Sequence, residues 1–248
     1  MSKWITGEVL EKKIWTDSLF SLIIKAKIKP FIAGQYTKLA LNINNERIQR
    51  AYSYVNAPNN NKLEFYLINV PNGKLSSNLA KLKPGNILQI SEKSSGIFIL
   101  KEIPKFKNLW MISTGTAIGP YLSILQDGSN LEKFTNIILI HAVRYKKDLT
   151  FLSLMKKLKN NFNGKLRTIT IVSREKCTNS LYGRIPELIK NKELTKASLL
   201  QFSSKTCHVM LCGNPGMIKD TRELLENNYG MKKHIQNRPG NISNEQYW

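Results

Sequence analysis

Residues 108–120 read Asn-Leu-Trp-Met-Ile-Ser-Thr-Gly-Thr-Ala-Ile-Gly-Pro, "NLWMISTGTAIGP". An apolar run of strand length ends in hydroxyl residues and glycine, and the helical stretch "PYLSILQ" follows. A near-continuous apolar run lacks the alternation of a strand wetted on one face, so it is expected in a parallel sheet covered on both sides. Gly115 and Gly119 permit close approach of the backbone, and a helix start offers free N–H groups to an anion. The turn is neither the GxGxxG of a dinucleotide fold nor a lysine-bearing P-loop. Alone it fits a plain turn as well as a phosphate cradle.

The same grammar recurs downstream. "NIILIHAV", "LRTITIVS" and "HVMLCG" are further apolar runs, interleaved with the helical stretches "LSLMKKLKN", "RIPELIKNK" and "MIKDTRELLENN". Strand and helix alternate, so residues 102–248 are expected to form a doubly wound parallel α/β domain. Residues 1–101 read differently. "EVLEKKIW", "LFSLIIKAKI", "YTKLALNI", "RIQRAYSYV", "KLEFYLINV" and "ILQISEK" are short β-rich runs separated by Asn, Gly and Pro, as in a small antiparallel barrel. One helical piece, "KLSSNLAKL", interrupts them, with Leu75, Leu79 and Leu82 at helical spacing.

Composition narrows the function classes. Hydrophobic residues make up 42% of the 248, enough for real cores, and no run approaches the roughly 20 apolar residues of a membrane helix. The start lacks a signal-peptide core, so a cytoplasmic protein is expected. Cys177, Cys207 and Cys212 form neither a disulfide framework nor a zinc or cluster motif, and His141, His208 and His234 stand apart. The net charge of +21 admits nucleic acid or an acidic protein as partner, yet the lysines are scattered and no basic tail appears. Abundant Lys, Asn and Ile also point to a compositional drift of the whole chain.

Arginine is more informative, because only eight of the 38 basic residues are Arg. Its planar fork grips phosphate bidentately, whereas lysine acts as a point charge. Arg144 tips the run "IHAVRY", Arg174 follows Ser173 at the tip of "IVSRE", and Arg184 opens the helix of "LYGRIPE". Any one of them reads as a solvated loop cation. Three on the rim where ligands of such sheets bind favour a phosphate-bearing nucleotide. The tip of the second run carries Arg144 and no carboxylate, which favours NADP(H) over NAD(H).

Taken in order, "RAYS" at 50–53, "GKLS" at 73–76, "TGTAIGP" at 114–120, "CGNPGM" at 212–217 and the terminal "YW" resemble the ferredoxin–NADP reductase family, in its bacterial ferredoxin/flavodoxin branch. The resemblance spans the chain and implies FAD on the barrel, NADP(H) on the α/β domain, and a C-terminal tail returning to the FAD. By that resemblance Arg50, Ala51, Tyr52 and Ser53 bind FAD: Arg50 at the pyrophosphate, Tyr52 against the isoalloxazine, Ser53 near N5. Leu67, Ile68 and Asn69 line the flavin, and Lys74, Leu75 and Ser76 hold the pyrophosphate. Thr116 is implied between flavin and nicotinamide, and Tyr247 and Trp248 at the FAD. Val143, Arg144, Ser173, Arg174 and Arg184 match the 2′-phosphate end of NADP. Gly213, Asn214 and Asp220 complete the NADP set.

Ser53, Cys212 and Trp248 are the implied catalytic residues, with Cys212 beside the nicotinamide. The tail "HIQNRPGNISNEQYW" runs past the point where plant-type members end in tyrosine, and Glu245 receives no role by resemblance. The implied activity is hydride transfer between NADPH and FAD, followed by single-electron transfer to an acidic flavodoxin or ferredoxin. A monomer without nucleic acid or membrane partner is expected. A free-flavin reductase would share this layout. A basic nucleic-acid-binding protein would leave the glycine turns and the Trp-bearing tail unexplained.

Overall fold

The computed structural model describes residues 3–247. Trp248, implied above at the FAD, lies outside the described residues. The chain forms two compact units. One runs to Ile99 and takes in Gly119–Asp127; the other comprises Leu100–Ile118 and the chain from Gly128.

The first unit is built on six antiparallel strands: β1 (Trp4–Ile14), β2 (Leu19–Lys25), β3 (Tyr36–Ile43), β4 (Glu46–Ser53), β5 (Lys62–Ile68) and β6 (Ile87–Ser91). Their order is β4-β3-β6-β1-β2-β5, and the two ends meet through a bridge between Tyr54 and Phe65 and a 2.9 Å bond from Val55 N–H to the Glu64 carbonyl. Closure removes the exposed sheet edges. Asn44 and Asn45, both at positive φ, make the two-residue turn between β3 and β4, a conformation asparagine tolerates better than most residues. Inward-facing Phe20, Leu22, Ile24, Leu39, Phe65 and Ile90 fill the barrel, and Tyr54 stacks on Phe31 at 3.8 Å.

β2 is buried on both faces, which its "LFSLII" composition anticipates. Trp15 covers the outer face, donating from Nε1 to Ser21 Oγ at 3.0 Å and meeting Tyr66 edge-on. A short helix, α1 (Ser76–Leu79), contributes Leu79 to the barrel core. The helix after the glycine turn, α2 (Gly119–Asp127), belongs to this unit. Ser123 donates to the Asn56 carbonyl at 2.7 Å, Gln126 to that of Val55 at 2.7 Å, and Tyr121 packs against Phe98.

The second unit holds a wholly parallel sheet: β7 (Asn108–Thr114), β8 (Asn136–Val143), β9 (Leu166–Val172), β10 (Leu181–Tyr182), β11 (Cys207–Gly213) and β12 (Ile242–Gln246). One face, through Trp110, Ile112, Ile138, Ile140, Val209 and Leu211, packs on apolar residues of α4 (Ile185–Lys190), α5 (Glu193–Ser198) and α6 (Pro215–Tyr229). Helix α3 (Leu152–Asn161) buries Met155 and Leu158. Two strands here are not foreseen by the apolar-run reading: β10 has two residues, and β12 is the polar segment "ISNEQ".

The opposite face of the sheet carries a polar row. Register aligns Thr170 of β9, His141 of β8, Ser113 of β7, Cys212 of β11 and Glu245 of β12. His141 is fully buried, and neither ring nitrogen has a hydrogen-bond partner among the described residues. Burial alone pushes its pKa down from 6.5 to about 4. Between those values the unfolded chain binds a proton that the folded one refuses, so stability falls as pH drops through this window. His141→Leu removes an unpaired polar group and the proton site together. We expect its melting temperature to match or exceed the parent's at pH 7.5, and to fall less steeply between pH 6.5 and pH 4. Equal slopes in a calorimetric pH series would refute the assignment.

Candidate functional site

The parallel sheet has the order β10-β9-β8-β7-β11-β12, so the chain moves outward one way from β7 and then restarts on its other side at β11. Ligands of open α/β sheets bind beyond the carboxyl ends of the strands at such a reversal. Here those ends are Thr114 and Gly213.

The two ends are locked together. Gly213 sits at φ +127°, and a Cβ placed there would lie 2.1 Å from Thr114 Oγ1 and 3.0 Å from the Thr114 carbonyl. The same Oγ1 accepts from Asn214 N–H at 2.9 Å. Asn214 in turn caps α6, its side chain accepting from Met217 N–H at 3.1 Å, with Pro215 in the first turn, where its missing N–H costs nothing. On the far side, Tyr247 N–H donates to the Gly213 carbonyl at 3.0 Å, so the tail extends the sheet beside the junction. Thr114 was quoted in a motif but given no role by sequence reasoning; only the fold shows what its hydroxyl does.

Cys212 lies one residue before the junction and is fully buried. Burial raises its thiol pKa well above the usual value, and the charge of Glu245 raises it further. The thiol is therefore neutral at physiological pH, too weakly ionised to serve as a nucleophile. Glu245, left without a role in the sequence reading, is the register partner of Cys212. No sequence signal places it there, because a five-residue polar strand carries no hydrophobic pattern.

The arginine rim assembles through the backbone. Ser173 N–H donates to the Val143 carbonyl at 3.1 Å and Arg174 N–H to the Arg144 carbonyl at 2.9 Å, continuing the β8–β9 ladder past its last strand residues. Two-residue β10 pairs Tyr182 with Val172, which brings Arg184 to the same rim. All three arginines are exposed. The nearby carboxylates have backbone partners: Glu175 accepts from Lys146 N–H, and Glu187 from Arg184 N–H at 3.3 Å. Exposed Tyr182, with the Lys176 ammonium 5.7 Å from its ring centre, adds a flat face that the sequence reading missed. Asp220 is exposed on α6.

On the barrel unit, β4 presents Arg50 and Ala51 to solvent, Tyr52 half-buried and Ser53 buried. The Tyr52 phenol is neutral at physiological pH as any tyrosine is, and burial lifts its pKa further, to about 12, against the opposing charge of Arg50. Tyr52 packs on the same core cluster that contains Leu75 and Leu67. Ile68 is exposed, and the buried Oδ1 of Asn69 has no hydrogen-bond partner among the described residues. The following turn closes on Ser76, whose Oγ accepts from Val70 N–H at 3.2 Å; Lys74 beside it is exposed. An orphaned acceptor, an exposed cation and a neutral ring suit a flavin nucleotide. Thr116, in the second unit, is buried in the turn Gly115–Ile118.

Comparison with known proteins identifies the group. An oxidoreductase FAD-binding domain matches residues 14–96, and an oxidoreductase NAD-binding domain matches residues 111–223. The chain is 54% identical over 248 residues to a flavodoxin/ferredoxin–NADP reductase of Shigella flexneri, and 53% identical to one of Escherichia coli (strain K12), with all of each chain covered. It belongs to the flavodoxin/ferredoxin–NADP reductase family. A solved ferredoxin NADP+ reductase from Neisseria gonorrhoeae with bound FAD and NADP is 30% identical and superposes with a TM-score of 0.93, over 99% of both chains. The two-unit fold of this family is thus the fold observed here: an antiparallel barrel followed by a doubly wound parallel domain.

The junction generates a test of its own. Gly213→Ala forces a Cβ into the Thr114 hydroxyl at a φ that side chains rarely adopt, and is expected to destabilise the fold by at least about 2 kcal/mol. Adding Thr114→Ala removes the hydroxyl but not the φ strain or the carbonyl contact, so it should recover part of that loss. Urea unfolding of the parent, both single variants and the double variant measures the coupling. Strict additivity would show that the contact is not the cause.

Proposed function

We propose that this chain binds FAD on its barrel unit and NADP(H) at the carboxyl edge of its parallel sheet, and passes electrons between NADPH and a flavodoxin or ferredoxin. The observation that carries the nucleotide choice is the arginine rim. Arg144 and Arg174 are stitched together by backbone hydrogen bonds, and Arg184 is brought alongside by β10. Three exposed guanidinium groups fit a dianionic 2′-phosphate, and the carboxylate at the β8 tip, Glu175, is engaged by Lys146 N–H. Tyr182 gives the adenine a surface to lie on.

The flavin supplies the redox chemistry, taking a hydride from the nicotinamide and yielding electrons singly to the carrier. The residues of the chain bind and orient. Arg50 and Lys74 answer the pyrophosphate charge, Tyr52 offers a neutral ring to the flavin, and Ser53 a hydroxyl near its reactive edge. Leu67, Ile68 and Asn69 line the flavin. At the nicotinamide end, the Thr114–Gly213–Asn214 junction sets the backbone, and the neutral Cys212 thiol excludes water without adding charge. Val143 and Ser173 shape the rim around the arginines. Asp220 keeps a subsidiary place in the NADP set, and Thr116 and Tyr247 in the FAD set.

The acceptors are acidic carriers, for which a chain of net charge +21 provides electrostatic steering. We assign the protein to the cytoplasm and to a monomeric state, with residues 1–101 and 102–248 as its FAD and NADP domains. Among the described residues no helix is long and apolar enough to cross a membrane.

Purified protein should be yellow, release FAD on denaturation, and reduce flavodoxin or ferredoxin with NADPH. A colourless protein that takes up no FAD removes the reading, and reduction of free flavin with neither carrier accepted favours a free-flavin reductase. Arg144→Ala, Arg174→Ala and Arg184→Ala should each raise the NADPH KM about tenfold, as expected for loss of a charge-assisted hydrogen bond. The NADH KM should stay within about threefold. Equal changes for both nucleotides would sink the 2′-phosphate assignment.

A further inference from the structure

Most exposed apolar side chains of the barrel unit have a place in the scheme above or sit far from it. Ile68 and Val70 belong to the flavin-lining strand and its turn, Ile14 ends β1, and Ile87 starts β6 at the end opposite Ser91. Two remain. Ile97 is 89% exposed, more than any other large hydrophobic among the described residues, and Ile32 is 47% exposed. An isolated surface isoleucine is ordinary. These two ride on loops that are tied to each other and to the strand bearing Ser53.

The ties are specific. Gln35 accepts from Ile32 N–H at 2.9 Å through its side-chain oxygen and donates through its nitrogen to the Gly96 carbonyl at 3.2 Å. Tyr36 and Ser95 exchange backbone hydrogen bonds of 2.9 and 2.8 Å. The loops approach so closely at Gly34 that a Cβ there would lie 2.1 Å from the Phe98 carbonyl. Tyr36 is also the cross-strand partner of Ser53, so Ser53, Tyr36 and Ser95 form one row across the sheet. The apolar pair thus flanks the residue given to the reactive edge of the flavin. Tyr54, the next residue, anchors both loops by stacking on Phe31 and by a 2.9 Å hydrogen bond to Ser94.

Cations lie on the same loops, Lys29 three residues before Ile32 and Lys93 four before Ile97. Lys3, Lys29 and Lys93 all act on Glu92, which is held by Lys3 at 3.0 Å; three cations face one carboxylate. An apolar centre with a cationic rim, rigid before any partner arrives, suits an acidic protein whose own centre is apolar. It also meets a requirement of electron transfer, which falls steeply with distance and needs the carrier beside the flavin edge.

We propose that the Ile32–Ile97 face, rimmed by Lys3, Lys29 and Lys93, is where the acidic electron carrier docks. The proposal rests on the electron-transfer reading above. Ile97 and Ile32 hold the bound carrier, and the lysines speed its arrival.

The test compares NADPH-driven reduction of purified flavodoxin and ferredoxin with reduction of ferricyanide, a small acceptor that needs no docking surface. Ile32→Ser/Ile97→Ser should raise the carrier KM about tenfold or more, as loss of two buried side chains predicts, with the ferricyanide rate within twofold. Ile14→Ser/Ile87→Ser, of equal chemistry elsewhere on the barrel, should change neither. Lys29→Glu/Lys93→Glu should flatten the salt dependence of carrier reduction. An unchanged carrier KM in the Ile32/Ile97 variant, or an equal loss in the Ile14/Ile87 control, overturns the surface while leaving the activity standing. A parent that reduces ferricyanide but neither carrier removes the electron-transfer reading and the surface with it. Self-association of the parent that is abolished by Ile32→Ser/Ile97→Ser, with carrier KM unchanged, reassigns the face to a second copy of the chain.

Discussion

Gly213 has room for nothing larger than hydrogen, because the hydroxyl of Thr114 fills the space a side chain would take. That one contact fastens β7 to β11 where the sheet reverses its order, and the arrangement of the parallel unit's carboxyl edge depends on it. Through Asn214 it fixes the start of α6; through the Gly213 carbonyl it receives the tail at Tyr247. A ligand arriving at the reversal meets a backbone already set, with little ordering left to do. Threonine suits the place because its hydroxyl accepts a hydrogen bond while its branched Cβ fits a strand end.

Much of this was legible in the sequence, for physical reasons. Parallel strands buried on both faces must be apolar throughout, so "NLWMIST", "NIILIHAV" and "HVMLCG" announce themselves, and helices fill the gaps. The Asn44-Asn45 turn and the Asn214-Pro215 helix start follow from backbone chemistry that few residue types satisfy. β12 and β10 were not legible. An edge strand of polar residues gains its place by pairing with a neighbour, and two residues are too few for any period. Glu245 beside Cys212 is a consequence of β12 and was hidden with it, whereas Arg184 was read onto the rim from its place at a helix start even though β10 was not. Helix α2 illustrates a different limit: its sequence shows that it is apolar around its whole girth, but not that the barrel is the unit that claims it.

The two kinds of cation divide their labour. Lysine is the default in a chain of 38 basic and 17 acidic residues, and its dispersion over the surface produces a diffuse field rather than a site. Such a field raises encounter rates with acidic partners and is weakened by salt. Arginine is scarce, and three of its eight occurrences meet on one rim because successive parallel strands end there. Specificity for a phosphate therefore comes from strand order, and attraction toward a protein from composition. The first weakens with the loss of a single arginine; the second declines in steps as lysines are lost, most where they stand close to a docking partner.

The side chains nearest the proposed chemistry share a property that explains their choice. Tyr52 is a neutral phenol at physiological pH, and burial carries it further from ionisation, to a pKa of about 12. Cys212 is kept a neutral thiol by burial and by Glu245. Charges in these positions would bias the flavin or nicotinamide electrostatically throughout the cycle, in a medium where such interactions are poorly screened. Neutral side chains at these two places would add no fixed charge of their own to either cofactor. Apart from the Glu245 carboxylate beside Cys212, the charges assigned here stand at Arg50 and Lys74 for one nucleotide's phosphates and at the arginine rim for the other's. By this division the residues decide which cofactors meet and how they lie, while the driving force remains a property of the cofactors and of the carrier they supply.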